Sequence, residues 1–285
     1  VLPLHIVTLA LNAHPLLLIQ LSNLNRCPVP WTWHIVHGTA ANTGSTAWCR
    51  RIPSGLSTDG TTELLRTWRG HPRIRIYERP VWHGGKDEMF NYALGHIVES
   101  CVLLQADADE FWAPVQLAKL VWLFGQFREL LSARFYCDYF VGPNIVITST
   151  HSYGNRPSEW ARAWRFQPGQ MFKSHEPPVI NGASEPCADR DGTRAEGLVF
   201  QHWAWVFEWQ VAFKERLYGY RDALRYWKRL QANRDWPVRD LRSFLTWVDP
   251  GVIADQLWKP STSPSGATAT FSLRSQLSST IYAPA

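Results

Sequence analysis

The chain has 285 residues, 45% hydrophobic and 19% charged, so it is globular rather than disordered, either one large domain or a domain with an appended helical piece. A formal charge of +5 favours anionic ligands or an anionic membrane surface and is too weak to indicate nucleic acid. The five cysteines Cys27, Cys49, Cys101, Cys137 and Cys187 are odd in number and never in C-x-x-C spacing, which supports neither a structural zinc site nor a disulfide framework and leads us to expect a reducing, cytoplasmic setting.

Leu4 to Ala10 reads as a buried strand that ends at Asn12, almost at once after Val1, so native residues are expected ahead of it. Pro15 to Leu24 has helical spacing. Trp33-His34-Ile35-Val36 is a second strand stopping at Gly38, before a loop rich in Thr, Asn and Gly. Thr61 or Thr62 is placed to cap a helix through Trp68. Arg73 to Tyr77 alternates as a strand, Lys86 to Val98 suits a helix, and Cys101 to Ala106 is an apolar strand. Strands separated by helices predict an α/β fold with a doubly wound, mostly parallel sheet, in which ligands collect beyond the carboxyl ends of the strands.

Pro114 to Phe127 reads as a helix and Ala133 to Val141 as a strand, followed by a Gly/Pro-rich passage with several loops from Gly142 to Gly197. From Val206 a helical stripe runs through Phe213, Leu217, Tyr220, Leu224, Trp227 and Gln231, with Gly219 placed to kink or divide it. Arg221, Arg225, Lys228 and Arg229 beside the stripe form an ordinary solvated face or, alternatively, a surface for a membrane or a phosphate-bearing acceptor. Beyond Pro260 the Ser/Thr-rich end lacks a core pattern. The organisation expected is residues 1–210 as the ligand-binding domain and residues 211–285 as a C-terminal helical extension packed on it.

The strand at Cys101 to Ala106 delivers Asp107-Ala108-Asp109-Glu110 at its C-terminal end. In isolation a D-x-D also fits a solvated acidic turn. Buried together, Asp107 and Asp109 need a cation, and hard carboxylate oxygens suit Mg²⁺ or Mn²⁺, ions that keep open positions for substrate phosphates. No G-x-G-x-x-G, P-loop lysine, G-x-S-x-G or H-E-x-x-H is present, which removes the anchors for dinucleotide enzymes, P-loop enzymes, serine hydrolases and zincins.

The order of these features, with Gly85-Lys86-Asp87-Glu88-Met89-Phe90-Asn91 ahead of the D-A-D-E strand, resembles GT-A-type glycosyltransferases, most similarly the family 2 group that uses nucleotide sugars, over roughly residues 4–210. One departure is His37-Gly38, where such enzymes often carry an acidic residue contacting the base. The resemblance implies a hexosyltransferase-type enzyme that moves sugar from a UDP- or GDP-linked donor to a glycan, lipid or small-molecule hydroxyl, with inversion and with Mn²⁺ or Mg²⁺. It implies that Asp107 faces the ribose or a bridging water, that Asp109 ligates the metal, and that Asn12, Lys86 and Asn91 approach the donor. It implies a carboxylate base in the segment after the acidic strand, for which Glu176 is the candidate and Asp189 and Asp191 the next to test, and a third metal ligand, His202 in preference to His175. The alternatives are a nucleotidyltransferase, which lacks its Gly-rich basic loop here, and a non-catalytic carbohydrate- or nucleotide-binding protein. The expected location is cytoplasmic, with peripheral membrane contact as the variant.

Overall fold

Apolar residues with period two divide the strands between two cores. The computed structural model describes residues 2–43 and 55–257; Cys49, part of the loop after Gly38 and the Ser/Thr-rich end lie outside them. The first half comprises β1 (Leu4–Ala10), α1 (His14–Asn25), β2 (Trp31–Ala40), α2 (Thr61–Thr67), β3 (Ile74–Trp82), α3 (Gly85–Leu94) and β4 (Cys101–Gln105). In β1, β2 and β4, Leu4, Ile6, Trp33, Ile35, Val102 and Leu104 pack with Leu17 of α1 on one face. Val7, Val36, Cys101 and Leu103 meet Met89, Phe90 and Ala93 of α3 on the other. A sheet covered on both faces explains why these strands read as continuous apolar runs.

The second half comprises β5 (Glu110–Phe111), α4 (Pro114–Gln126), β6 (Ser132–Arg134), β7 (Tyr136–Gly142), β8 (Ile145–Ile147), β9 (Ala161–Phe166), β10 (Phe172–His175), β11 (Pro178–Ile180), β12 (Cys187–Ala188), α5 (Arg190–Ala195), β13 (Val199–His202), α6 (Glu208–Tyr218), α7 (Ala223–Gln231) and β14 (Ala254–Gln256). The large sheet has the order β12-β6-β9-β4-β1-β2-β3, and only the pairs that involve β9 are antiparallel. The fold is therefore α/β with a mostly parallel sheet and a C-terminal helical segment. A second sheet, β14-β8-β7-β13-β5, lies beside it, and β10 and β11 form a hairpin.

Several boundaries differ from the expectation. The single strand expected over Ala133 to Val141 is two strands in different sheets, β6 and β7, with buried Phe135 between them. Arg134 and Asp138 are the exposed positions in a run that is otherwise buried from Ala133 to Val141, so the pattern of apolar residues does not mark the change of sheet. The helix expected through Val98 ends at Leu94, capped by Gly95. Asp59 rather than Thr61 or Thr62 serves the start of α2, its Oδ1 accepting from the Thr61 N–H at 3.0 Å. The C-terminal stripe is divided into α6 and α7 by Gly219, whose φ of +72° is left-handed. Residues after 210 share one core with the sheets through Trp227, Leu230, Leu241 and Val252, and β14 pairs with β8. Among the described residues no helix is long and apolar enough to cross a membrane.

Candidate active site

The strand order contains a reversal: the chain proceeds outward from β1 to β2 and β3, then returns so that β4 lies on the other side of β1. The connections leaving the carboxyl ends of β1 and β4 diverge there and open a crevice. A cavity of about 650 Å³ occupies it, and its wall includes Asn12 after β1, Gly38 in β2 and Asp107 and Asp109 after β4. Lys86, His175, Glu176 and His202 line the same cavity. Residues from the first strand, the acidic turn, the hairpin and β13 thus share one space.

Each is positioned by an identifiable local device. Asn12 has a left-handed φ of 50°, and its Oδ1 accepts from the Thr58 N–H at 2.9 Å, so it shapes a turn while facing the cavity. Gly38 sits at the register shift between β2 and β3 with φ +130°, where a Cβ would collide with the Arg79 carbonyl. His37 within β2 is buried, paired with the Ala10 carbonyl at 3.0 Å and Thr62 Oγ1 at 2.9 Å, which ties β1, β2 and α2 together; the strand expected to stop at Gly38 continues to Ala40. Lys86 is in the first turn of α3. Asn91 is not on the cavity wall: its Nδ2 donates to the Phe172 carbonyl at 3.1 Å and its Oδ1 accepts from the Phe172 N–H at 2.7 Å. It locks α3 to β10, the strand that carries His175.

His202 reaches the acidic turn because β13 pairs antiparallel with β5, placing His202 opposite Glu110. Its Nε2 is 3.4 Å from Asp109 Oδ1, and its Nδ1 is buried with no hydrogen-bond partner among the described residues. Tyr139 and Trp160 flank the ring edge-on, at 4.8 and 5.1 Å. His175 is buried against Phe90, with ring centroids 5.2 Å apart. Burial, then the charges of Lys86 and Arg162, hold its pKa well below the ordinary histidine value, so it is neutral. Glu176 is exposed at the end of the hairpin. Asp189 caps α5 through the Gly192 N–H at 2.7 Å and Asp191 accepts from the Tyr136 hydroxyl at 3.1 Å; neither lines the cavity.

The acidic turn also has partners that sequence reasoning missed. Arg162 of β9 is buried and bidentate on Glu110, with contacts of 2.7 and 3.0 Å, and lies 3.8 Å from Asp107 Oδ2. Lys214 of α6 donates to Asp109 Oδ2 at 2.8 Å and to the Ala204 carbonyl at 2.8 Å. Gln210, one turn earlier, donates to the same Asp109 oxygen at 3.2 Å. Burial opposes ionisation of Asp109, but Lys214 and His202 outweigh it and hold the carboxyl well below the usual carboxylate range. Glu159 is a further cavity carboxylate, accepting from the Arg156 N–H at 2.9 Å; burial pushes its pKa upward. The sequence signals for these residues were a charged Arg162 inside an apolar strand and a lysine spaced four from Gln210 beside the aromatic stripe.

Among the described residues no three His, Cys, Asp or Glu side chains are grouped for a metal ion. The trio Asp107, Asp109 and His202 does not fit a divalent ion as arranged. Asp109 Oδ1 faces His202, but the Lys214 ammonium stands 2.8 Å from Oδ2, where a divalent ion bound by this carboxylate would meet a like charge.

No family model and no curated protein matches the chain. Solved structures similar to it include residues 1–349 of S. aureus TarS, at 14% identity and TM-score 0.39, covering 57% of this chain and 47% of that one. A longer S. aureus TarS structure matches at 12% identity and TM-score 0.39, covering 57% and 28%. The mannosyltransferase PcManGT from Pyrobaculum calidifontis, solved with GDP-Man and Mn²⁺, matches at 16% identity and TM-score 0.45, covering 81% and 65%. The chain spans less than two thirds of the length of each. Likenesses this distant say nothing about chemistry.

Proposed function

We propose that the chain is a GT-A-type glycosyltransferase, of the family 2 kind, that moves a hexose from a UDP- or GDP-linked donor to an acceptor hydroxyl with inversion. The observation that carries this reading is a cavity at the β1/β4 reversal whose wall brings together Asn12, Lys86, Asp107, Asp109, Glu176 and His202. Its volume of about 650 Å³ is in the range that takes a small-molecule ligand.

In this reading the nucleoside lies between the ends of β1 and β2, near Asn12 and Gly38, and the diphosphate lies over the acidic turn within reach of Lys86. Glu176 removes the proton of the acceptor hydroxyl; the oxygen attacks the anomeric carbon as the bond to the diphosphate oxygen breaks. A carboxylate at the open end of the cavity suits that role, because the acceptor must enter from solvent and meet the base within hydrogen-bond distance. The acceptor is a glycan, lipid or small molecule.

The test is a thermal-shift screen of nucleotide sugars, followed by assay of nucleotide release and of product configuration by NMR. A donor at about 100 times its Kd stabilises the chain by roughly 2.7 kcal/mol. Failure of every UDP- and GDP-sugar to stabilise the chain or release nucleotide rejects the reading, and a product retaining the donor's configuration rejects inversion.

A further inference from the structure

We infer that Lys214 is the built-in cation of this site: its ammonium neutralises Asp109 and binds the donor's diphosphate, so that nucleotide binding needs no divalent metal. The inference rests on the nucleotide-sugar reading and goes beyond it by naming what carries the positive charge.

Three observations lead to it. First, each carboxylate of the acidic turn faces a protein cation: Arg162 is bidentate on Glu110 and 3.8 Å from Asp107, and Lys214 is 2.8 Å from Asp109. The charge conflict that a D-x-D raises on paper is resolved by the fold itself. Second, Lys214 is fixed rather than waving in solvent. Its side chain is 14% exposed, it bonds the Ala204 carbonyl at 2.8 Å, and it lies 5.3 Å from the Trp205 ring centroid. A divalent ion on Asp109 would have to approach this ammonium or displace it from both acceptors and the ring, and like charge opposes that approach. Third, Lys214 lines the cavity together with Lys86, which comes from the opposite half of the chain. An ammonium has three donors. Two are directed at Asp109 and Ala204, leaving one for a ligand oxygen.

Asp109 is then a positioning residue rather than a metal ligand. Its Oδ2 draws Lys214 and Gln210 together, its Oδ1 faces His202, and its backbone carbonyl accepts from the Trp203 N–H at 2.8 Å. These contacts anchor the start of α6 to the turn after β4.

The experiment is calorimetric titration of the full chain with GDP and with UDP, in EDTA and in Mn²⁺, for wild type and Lys214→Ala, with Mn²⁺ binding followed separately by electron paramagnetic resonance. The expected result is that one nucleotide binds wild type in EDTA, with Kd changed less than about threefold by Mn²⁺. Lys214→Ala should weaken binding in EDTA by about tenfold or more, the loss of one charge-assisted hydrogen bond. The variant should also bind Mn²⁺ more tightly than wild type does, because Asp109 is released. Wild-type binding that is absent in EDTA and restored by Mn²⁺ overturns the inference while leaving the glycosyltransferase reading standing. No binding of either nucleotide in either condition overturns both. The wild-type comparison decides the matter even if Lys214→Ala fails to fold, and Lys214→Gln, which keeps a hydrogen bond to Asp109 without the charge, separates charge from packing.

Discussion

Glu176 and Glu159 are two carboxylates on one cavity wall, held in different ways. Glu176 is exposed and follows His175 at the end of β10, open to an arriving hydroxyl. Glu159 is half-buried, bonded to the Arg156 N–H and 3.7 Å from the Arg156 guanidinium, which is itself anchored to Asp249 at 2.7 Å. Its neighbour Trp160 has a left-handed φ of 61° and bonds the Gly154 carbonyl at 2.7 Å, so the segment is shaped for position rather than for movement. We expect Glu176→Gln to lower turnover by roughly 10²–10⁴-fold with donor affinity little changed. Glu159→Gln should lower it far less. Steady-state kinetics of the two variants checks this, and the reverse ranking would move the base to Glu159. Asp189 and Asp191 are removed from contention as bases by their places in the cap of α5 and against Tyr136.

At the level of elements, the acidic turn is held by three neighbours that the chain supplies late: β9 through Arg162, β13 through His202 and α6 through Lys214. Arg162 is the most consequential for stability. It and Glu110 are both almost fully buried, with side-chain exposures of 5% and 0%. Removing one partner leaves an uncompensated charge in the interior, so Arg162→Met should cost about 3–5 kcal/mol in urea denaturation. Arg162→Lys should recover little, since a lysine cannot make the two parallel bonds to Glu110. The double variant Arg162→Met with Glu110→Gln should be more stable than Arg162→Met alone, because the orphaned charge is gone. A loss below about 1 kcal/mol for Arg162→Met would mean that the pair is solvated and does not hold the turn. His202 needs no such charge to stay in place: the β5/β13 pairing and the Tyr139 and Trp160 rings fix it.

At the scale of the whole molecule, burial lowers the pKa of three histidines, His5, His34 and His175. His34 in β2 lies between His5, at 2.9 Å, and the Tyr77 hydroxyl, at 3.0 Å. Burial, then the charges of His5 and Arg75, lower its pKa to about 3. His5 is lowered as well, chiefly by burial, and His175 lies well below the ordinary value. The folded-state pKa of His34 is therefore depressed relative to the unfolded value near 6.5, and between those limits the unfolded chain binds the extra proton. The stabilisation is fully present above about pH 6.5 and is lost as pH falls toward 3, by up to about 1.4 kcal/mol per pH unit. Urea midpoints measured from pH 7 to pH 4 should fall more steeply for wild type than for His34→Gln. Parallel curves would mean that His34 takes up its proton in the folded state.

The parallel α/β sheet was legible from the sequence because each strand of its centre is a local object. Leu4 to Ala10 and Cys101 to Gln105 are apolar on both faces, and the helices between them start and stop at nearby residues. Asp107 and Asp109 were legible for the same reason: a polar pair at the end of an apolar strand must lie at the carboxyl edge of the sheet. What surrounds that pair was decided by tertiary structure. Arg162, Lys214 and Gln210 are between 52 and 105 positions from the carboxylates they touch, and no local period links them. Asn91 illustrates the limit within a motif: its spacing before the acidic strand was visible, but only the packing of α3 on β10 directs its amide to the Phe172 backbone instead of the cavity. A sequence shows that two buried carboxylates need a cation. Whether that cation is an ion or a side chain depends on which distant element the chain returns to the site, and here the packing of α6 against the turn after β4 brings Lys214.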